Sequence, residues 1–503
     1  MTEAPAVHGT LFIGGRWETP AGTDTIEVVS PHDGTLIGRV PHATPQDVDR
    51  AVAAAREAFD HGPWPRLPLA ERLAVLERIQ ALMLARQDEF ARVISAQNGS
   101  PASFSVTNQA AAAAVQYGLV AAAAREFPFE ERREGLRQPL LVLREPVGVV
   151  AAVVPWNVPQ FVTAAKLAPA LAAGCTVVLK PSPETPLDAY LLAEVCAEAG
   201  LPEGVLSVLP ADRETSSYLV AHPGVDKVSF TGSVAAGRQV MASAAQHLAR
   251  VTLELGGKSA GIVLPDADLP TTVAALAAGS LLNNGQACVA LTRILLPASR
   301  YEEFAAALTA VFGGLRVGDP QDPETQVGPL VSKRQQQRNL DYVRIGREEG
   351  AELLVGGGVP AGLEAGAYVQ PTLFGEVTNG MRIAREEIFG PVVCLIRYED
   401  EDEAVRIAND SDFGLSGAVF TARTEEGVAH GVEVARRIRT GTYTVNGFTI
   451  DLRGPFGGYK NSGVGREFGA EGLGEYLEHK TVALPVTVWP LTTSWEYPPC
   501  WLQ

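Results

Sequence analysis

Cysteine is scarce in this chain, and what there is does not group. Cys175, Cys196, Cys288, Cys394 and Cys500 are scattered, with no CxxC pair and no Cys/His metal spacing. That excludes a disulfide framework and any recognisable metal site, and it points to a reduced, intracellular protein, expected in the cytoplasm. Basic charge is also short. The net charge is −17, which argues against broad binding of nucleic acid or anionic membranes. A local cationic site could still hold a phosphorylated cofactor. No run of about 18 uninterrupted apolar residues exists, so no membrane span is expected. The nearest candidate, AAAAAVQYGLVAAAA at 110–124, carries Gln, Tyr and Gly and reads as a buried or amphipathic helix. MTEAPAVHGT has neither the basic nor the apolar region of a signal peptide.

The dinucleotide fingerprint GxGxxG is missing too. GVGREFG (463–469) has the wrong spacing, and ELGGKS (254–259) ends like a P-loop but has Thr252 where the upstream glycine belongs. Both are decoys. The eight histidines are scattered and read as surface or structural groups.

What is present suits a large α/β protein. At 503 residues the chain has room for about three domains. Helical periodicity covers 45–60 and 68–98, and from 140 strand-like runs alternate with helices. LLVLREPVGVVAAVVP, CTVVLKPS, GVLSVLP and DKVSFTGS read as strands; FVTAAKLAPALAAG, LDAYLLAEVCAEAG and ETSSYLVAHP read as helices. This implies a parallel sheet with helices on both faces. After about residue 257 the pattern restarts with SAGIVLP, VALTRILLP and VVCLIRY as strands, which suggests a second α/β unit. The tail TVWPLTTSWEYPPCWLQ is rich in Trp and Pro, and exposed aromatics there would suit a partner subunit.

In SFTGSVAAG (229–237) a strand ends and a helix begins. Free N–H groups at a helix N-terminus favour a pyrophosphate, and Gly232 would let it approach. Ser233 is equally the commonplace structural choice at an N-cap. Lys180, at the carboxyl end of a buried strand, is either a ligand contact or a solvated strand-end lysine.

NNGQACVA (283–290) places Cys288 after Gly285 and Gln286. It is either a packed thiol or a nucleophile. Glu254 lies in an apolar strand, where burial would raise its pKa toward that of a general base. Asn157, between Pro155 and Pro159, could donate a hydrogen bond to an oxyanion. A nucleophile, a base and an oxyanion donor are the parts of covalent catalysis at a carbonyl, but spacing alone does not show that they meet.

PWNVP, FTGS, LELGGKS, NNGQACVA, EEIFGPV (386–392) and PFGGYKNSGVGRE (455–467) occur in this order. Together they resemble the aldehyde dehydrogenase superfamily, from about LFIGGRW (11–17) to EYLEHKTV (475–482). The resemblance implies a Rossmann-like cofactor domain over 8–127 and 147–256, and an α/β catalytic domain over 257–457. It also implies a small β oligomerisation arm and C-terminal segment, 128–146 and 458–503, in a homodimer or homotetramer. It makes Cys288 the nucleophile, Glu254 the base that activates water against a thioester, and Asn157 the oxyanion donor. Val154, Pro155, Trp156, Lys180, Gly232, Ser233, Gly256, Glu387 and Phe389 are implied to hold the cofactor. The implied reaction is oxidation of an aldehyde to a carboxylic acid, with no metal.

Two stretches depart from the family pattern. Many NAD-preferring relatives carry a Glu three residues after the lysine, where this chain has Pro183, with Glu184 next. NAD is the expected cofactor and NADP the alternative. Val158, Ala165, Leu282, Ala287, Val289 and Ile450 stand where relatives often carry larger or aromatic groups, while Phe456 remains. A roomy apolar tunnel is expected, suited to a medium-chain, terpenoid or aromatic aldehyde. Arg453 is expected near its mouth, in a surface salt bridge rather than against an acidic substrate. The rival readings are a CoA-acylating semialdehyde dehydrogenase, against which Glu254 argues, and a cysteine hydrolase, for which no histidine lies between His247 and His430. A non-enzymatic protein on the same scaffold is a third.

Overall fold

Apolar strands and alanine-rich helices alternate to build two large sheets. The computed structural model describes residues 6–485, so the Trp/Pro-rich tail, Cys500 and any role of theirs in assembly lie outside the described residues. In the first sheet, strands Arg250–Glu254, Lys227–Thr231, Val149–Val153, Thr176–Lys180 and Leu206–Val208 run parallel in that spatial order. Antiparallel strands Leu11–Ile13 and Arg16–Glu18 extend one edge. The other edge is closed by Gly463–Val464, pairing antiparallel to Leu253 and Glu254. That short strand comes from the segment expected to serve oligomerisation.

Helices cover both faces of this sheet. Helix Pro159–Ala173 is buried along almost its whole length. Its alanines let the neighbouring helix Ala112–Glu126 approach closely. It ends at Gly174, whose φ of 99° is the left-handed cap that glycine adopts without strain. The expected helix over 68–98 is two helices, Leu69–Ala85 and Gln87–Asn98. Arg86 breaks them at φ −105°, ψ 17°, and its guanidinium bonds Glu89 and Glu194.

The second sheet is ordered Glu352–Val355, Thr372–Gly375, Val392–Tyr398, Arg293–Pro297, Ala260–Val263, Gly417–Phe420 and Thr444–Val445. All but the first are parallel. The strand expected over VALTRILLP forms only from Arg293 onward. The buried Arg293 guanidinium donates to the carbonyls of Lys258, Ile407 and Ala408, which ties this strand to its surroundings. A third, antiparallel sheet joins Leu477–Ala483, Leu140–Pro146 and Glu130–Arg133. Among the described residues, no helix is long and apolar enough to cross a membrane.

Candidate active site

The first sheet places a crevice where ligands of open α/β sheets bind. From strand Val149–Val153 the chain builds outward one way through Thr176–Lys180 and the other way through Lys227–Thr231. The carboxyl ends of strands at such a switch point diverge and leave a cleft. Here the cleft measures about 890 Å³. Val154, Pro155, Trp156 and Asn157 line it from the first strand, Lys180 from the second, and Gly232 and Ser233 from the third. Gly256, Glu387, Phe389 and Cys288 complete the opposite wall. Glu254 and the tunnel residues are not on that wall; they lie behind it.

Cys288 is presented by an unusual loop. Asn283, Asn284 and Gly285 all have left-handed backbone, at φ 51°, 59° and 74°. Asparagine tolerates that region better than other side-chain-bearing residues. Both amides are used. Asn284 Nδ2 donates to the carbonyls of Gly99 and Pro329, and its Oδ1 accepts from Gly328 N–H at 2.7 Å. Asn283 Nδ2 donates to the Asn157 carbonyl at 2.8 Å. Gln286 Oε1 accepts from Val331 N–H at 3.0 Å. The polar letters of NNGQ are therefore scaffold, and the cysteine is what they hold up.

Asn157 is 6% exposed, and its Nδ2 donates to the Gln286 carbonyl at 2.8 Å. An amide nitrogen carries two hydrogens, so one fixes the side chain and the other is left for a ligand beside Cys288. The Cys288 N–H lies against its own sulfur. Burial pushes the thiol up, and the nearby Glu387 and Glu254 carboxylates push it further. The thiol is therefore protonated at neutral pH in the ligand-free protein.

ELGGKS packs against this loop from below. A Cβ on Gly257 would collide with the Cys288 carbonyl, and one on Gly256 with the Glu387 carboxylate. The pair of glycines is needed for these close approaches. Glu254 is 3% exposed, and neither carboxylate oxygen has a hydrogen-bond partner. Burial raises it well above the ordinary 4.5, Glu467 adds to this, and Lys166 and Arg466 oppose it. Leaving a buried carboxyl unpartnered is costly in a core, and its raised proton affinity is that of a general base. Behind it Lys166 and Glu467 form a buried ion pair at 2.6 Å, which nothing in their sequence spacing announced.

The cleft residues fit a dinucleotide. Ser233 caps helix Val234–Ala244, its hydroxyl accepting from Ala236 N–H at 3.3 Å; the remaining first-turn N–H groups and the helix dipole favour an anion. Burial lowers the Lys180 ammonium to about 8 and raises Glu387 to about 7. Glu387 Oε1 accepts from Gly257 N–H at 3.0 Å. Phe389 has a left-handed backbone, φ 66°, and its ring stands edge-on to Trp156 with centroids 5.2 Å apart. Strain of this kind in a bulky residue persists where its surroundings impose it. Arg338 does so, donating to the carbonyls of Glu387 at 2.6 Å and Ile388 at 3.1 Å. Arg334 lines the cleft beside Ser182 and pairs with Glu184 at 3.2 Å. Sequence reasoning missed both arginines, because their helix Lys333–Glu348 was not identified.

The apolar side is a separate cluster. Ala165, Leu282, Ala287, Val289, Ile450 and Phe456 gather around Cys288. Val158 packs instead against the helical core of the first unit. Phe161, Phe448 and Phe468 join the cluster as well, so it is more aromatic than the retention of Phe456 alone suggested. Phe161 and Ala165, four apart on one helix, were the readable signal for part of it. Arg453 is exposed, and its N–H donates to Asp451 at 2.9 Å; among the described residues it makes no salt bridge, contrary to expectation. Among the described residues no group of His, Cys, Asp and Glu could hold a metal.

Known proteins are similar to this chain in sequence and fold. The aldehyde dehydrogenase family model matches residues 17–482. Geranial dehydrogenase of Castellaniella defragrans is 47% identical over 95% of this chain and 99% of its own. The crystal structure of Mycobacterium tuberculosis aldehyde dehydrogenase complexed with NAD+ is 48% identical and superposes with a TM-score of 0.94, covering 96% of this chain and 99% of that one. A Pseudomonas syringae aldehyde dehydrogenase C mutant complexed with NAD+ and octanal is 41% identical, with a TM-score of 0.91 over 94% and 96% of the two chains. The chain is an α/β oxidoreductase. The chain belongs to the aldehyde dehydrogenase family.

Proposed function

We propose that this protein oxidises an apolar aldehyde to its carboxylic acid with NAD, through a covalent intermediate on Cys288. The observation that carries the reading is the meeting of Cys288 and Asn157 at the switch-point cleft with a buried, unpartnered Glu254 behind them. Val154, Pro155, Trp156, Lys180, Gly232, Ser233, Gly256, Glu387 and Phe389 would hold the cofactor. When bound, NAD+ supplies the hydride acceptor. Cys288 gives its proton to water and attacks the carbonyl carbon, forming a carbon–sulfur bond. The Asn157 amide and the Cys288 N–H steady the oxyanion, where one such donor is worth roughly 10²–10³ in rate. After hydride loss the carbon is a thioester. Glu254 takes a proton from water, the hydroxide attacks, the carbon–sulfur bond breaks, and Glu254 returns the proton to the departing sulfur, so that acid and thiol separate.

The phenylalanine-lined cluster at Cys288 supports a medium-chain, terpenoid or aromatic substrate, as do relatives that are named for geranial or bind octanal. Glu254 favours hydrolysis over transfer to CoA. The sheet built on Leu140–Pro146 supports the oligomerisation role, because strand Glu130–Arg133 leaves an open edge on which another copy could add a strand. The first sheet's unit would then be the cofactor domain and the second sheet's unit the catalytic domain. The test is NAD(P)H formation across an aldehyde panel with both cofactors, with the product analysed. Acid and NADH are expected; acyl-CoA as the main product, or hydrolysis without NAD(P)H, would overturn the reading.

A further inference from the structure

We propose that Gln109 and Ser100 are positioning residues for the oxyanion donor Asn157, acting through Asn283. The inference rests on the reaction just described. Three buried side chains form one chain of hydrogen bonds with a single direction, ending on the Asn157 carbonyl. Gln109 Nε2 donates to Ser100 Oγ at 2.6 Å. Ser100 Oγ donates to Asn283 Oδ1. Asn283 Nδ2 donates to the Asn157 carbonyl at 2.8 Å. Asn98 Nδ2 donates to the same carbonyl at 3.0 Å, and its Oδ1 accepts from Ser100 N–H at 2.9 Å. Gln109, Ser100, Asn98 and Asn283 are all at most 3% exposed.

The sense of the chain matters. A serine hydroxyl has one proton and accepts through its lone pairs, whereas an amide NH₂ only donates. Ser100 Oγ therefore accepts from Gln109 Nε2, and its single proton is left for Asn283 Oδ1. Asn283 is then held with its NH₂ toward Asn157, on a left-handed backbone. Two N–H donors on one carbonyl fix the Asn157 peptide plane, while its side chain is fixed by the Gln286 carbonyl. Aligned amide and hydroxyl dipoles also polarise one another in a dry interior.

A second feature points the same way. Gln109 sits in Ser105–Ala111, a π-helical stretch leading into helix Ala112–Glu126. Such widened turns are uncommon and concentrate near functional sites. The adjoining Ser95 Oγ bonds Ser105 Oγ at 2.8 Å. Gln109 Oε1 is buried without a partner. The π-helical turn carries Gln109 with its NH₂ aimed at Ser100.

The experiment is a double-mutant cycle read on a cofactor-free reaction, the burst of para-nitrophenolate when Cys288 takes the acetyl group of para-nitrophenyl acetate. Gln109→Met, similar in volume but unable to donate, should slow the burst about tenfold, a fraction of the loss for a whole oxyanion donor. In an Asn157→Ala background the same change should slow it less than about twofold, because residues acting through one another are not additive. Equal losses in both backgrounds, or none in either, overturn the proposal. Ser100→Ala breaks the chain one link nearer, carries the same expectation, and serves if Gln109→Met does not fold. If Asn157→Ala alone leaves the burst unchanged, the oxyanion assignment fails first, and this inference with it.

Discussion

Replacing Glu254 by glutamine should make the protein more stable at neutral pH while stopping its turnover. The carboxyl is buried, has no hydrogen-bond partner, and is held well above the ordinary 4.5, chiefly by burial. Between 4.5 and that raised value the folded chain keeps a proton that the unfolded chain has lost. Stability therefore falls as pH rises through this window, by about 1.4 kcal/mol for each unit separating the two values. Glutamine has the same shape, never ionises, and gives up no hydrogen bond that the carboxyl was making. At about pH 4.5 and below the two proteins should melt nearly together, and by about pH 8 the variant should melt higher. Removing a general base lowers the rate by roughly 10²–10⁴, so steady-state NADH formation should collapse. Calorimetry across that pH range, paired with turnover, reads both effects. A variant that melts below the parent at about pH 8, or turns over within a few-fold of it, refutes the reasoning.

Burial and the facing carboxylates hold the Cys288 thiol up, so inactivation of the cofactor-free protein by iodoacetamide should accelerate steadily with pH; a plateau near neutrality would contradict this. Glu184 draws on Arg334 at 3.2 Å and on Ser182 Oγ at 2.5 Å. Glu184→Gln should free the arginine and raise kcat/KM for NADP several-fold relative to NAD, as measured with both cofactors. Lys166→Met leaves Glu467 unpaired in the interior and should lower unfolding stability by about 3–5 kcal/mol, while Lys166→Met with Glu467→Leu regains most of it. Denaturant unfolding distinguishes the two.

The parts of this structure that were legible in the sequence are those governed by local rules. Strand Thr176–Lys180 and helix Pro159–Ala173 with its Gly174 cap follow from apolar runs and punctuation. Which strands neighbour which does not, so the switch point became visible only in the sheet order. Helix Lys333–Glu348 escaped because KRQQQRNLDYVRIGRE has too weak an apolar stripe, yet it supplies Arg334 and Arg338. The Lys166–Glu467 pair spans 301 residues, a distance over which no periodicity speaks. NNGQACVA was found as a motif, but three consecutive left-handed residues explain its letters, and that depends on partners at Gly99, Gly328 and Val331. The polar face of the site was thus assembled by tertiary contacts. The apolar side was half readable, because Phe448 and Phe468 arrive from a distant part of the chain.

The central claim is that substrate carbon becomes bonded to the sulfur of Cys288 and that Glu254 is needed to release it. The direct measurement is mass spectrometry of Glu254→Gln quenched in acid after mixing with NAD and octanal. The account predicts an octanoyl group on the peptide that carries Cys288, and none when Cys288→Ala is combined with Glu254→Gln. An unmodified Cys288 peptide while NADH has formed, or the acyl group on another residue, would contradict it.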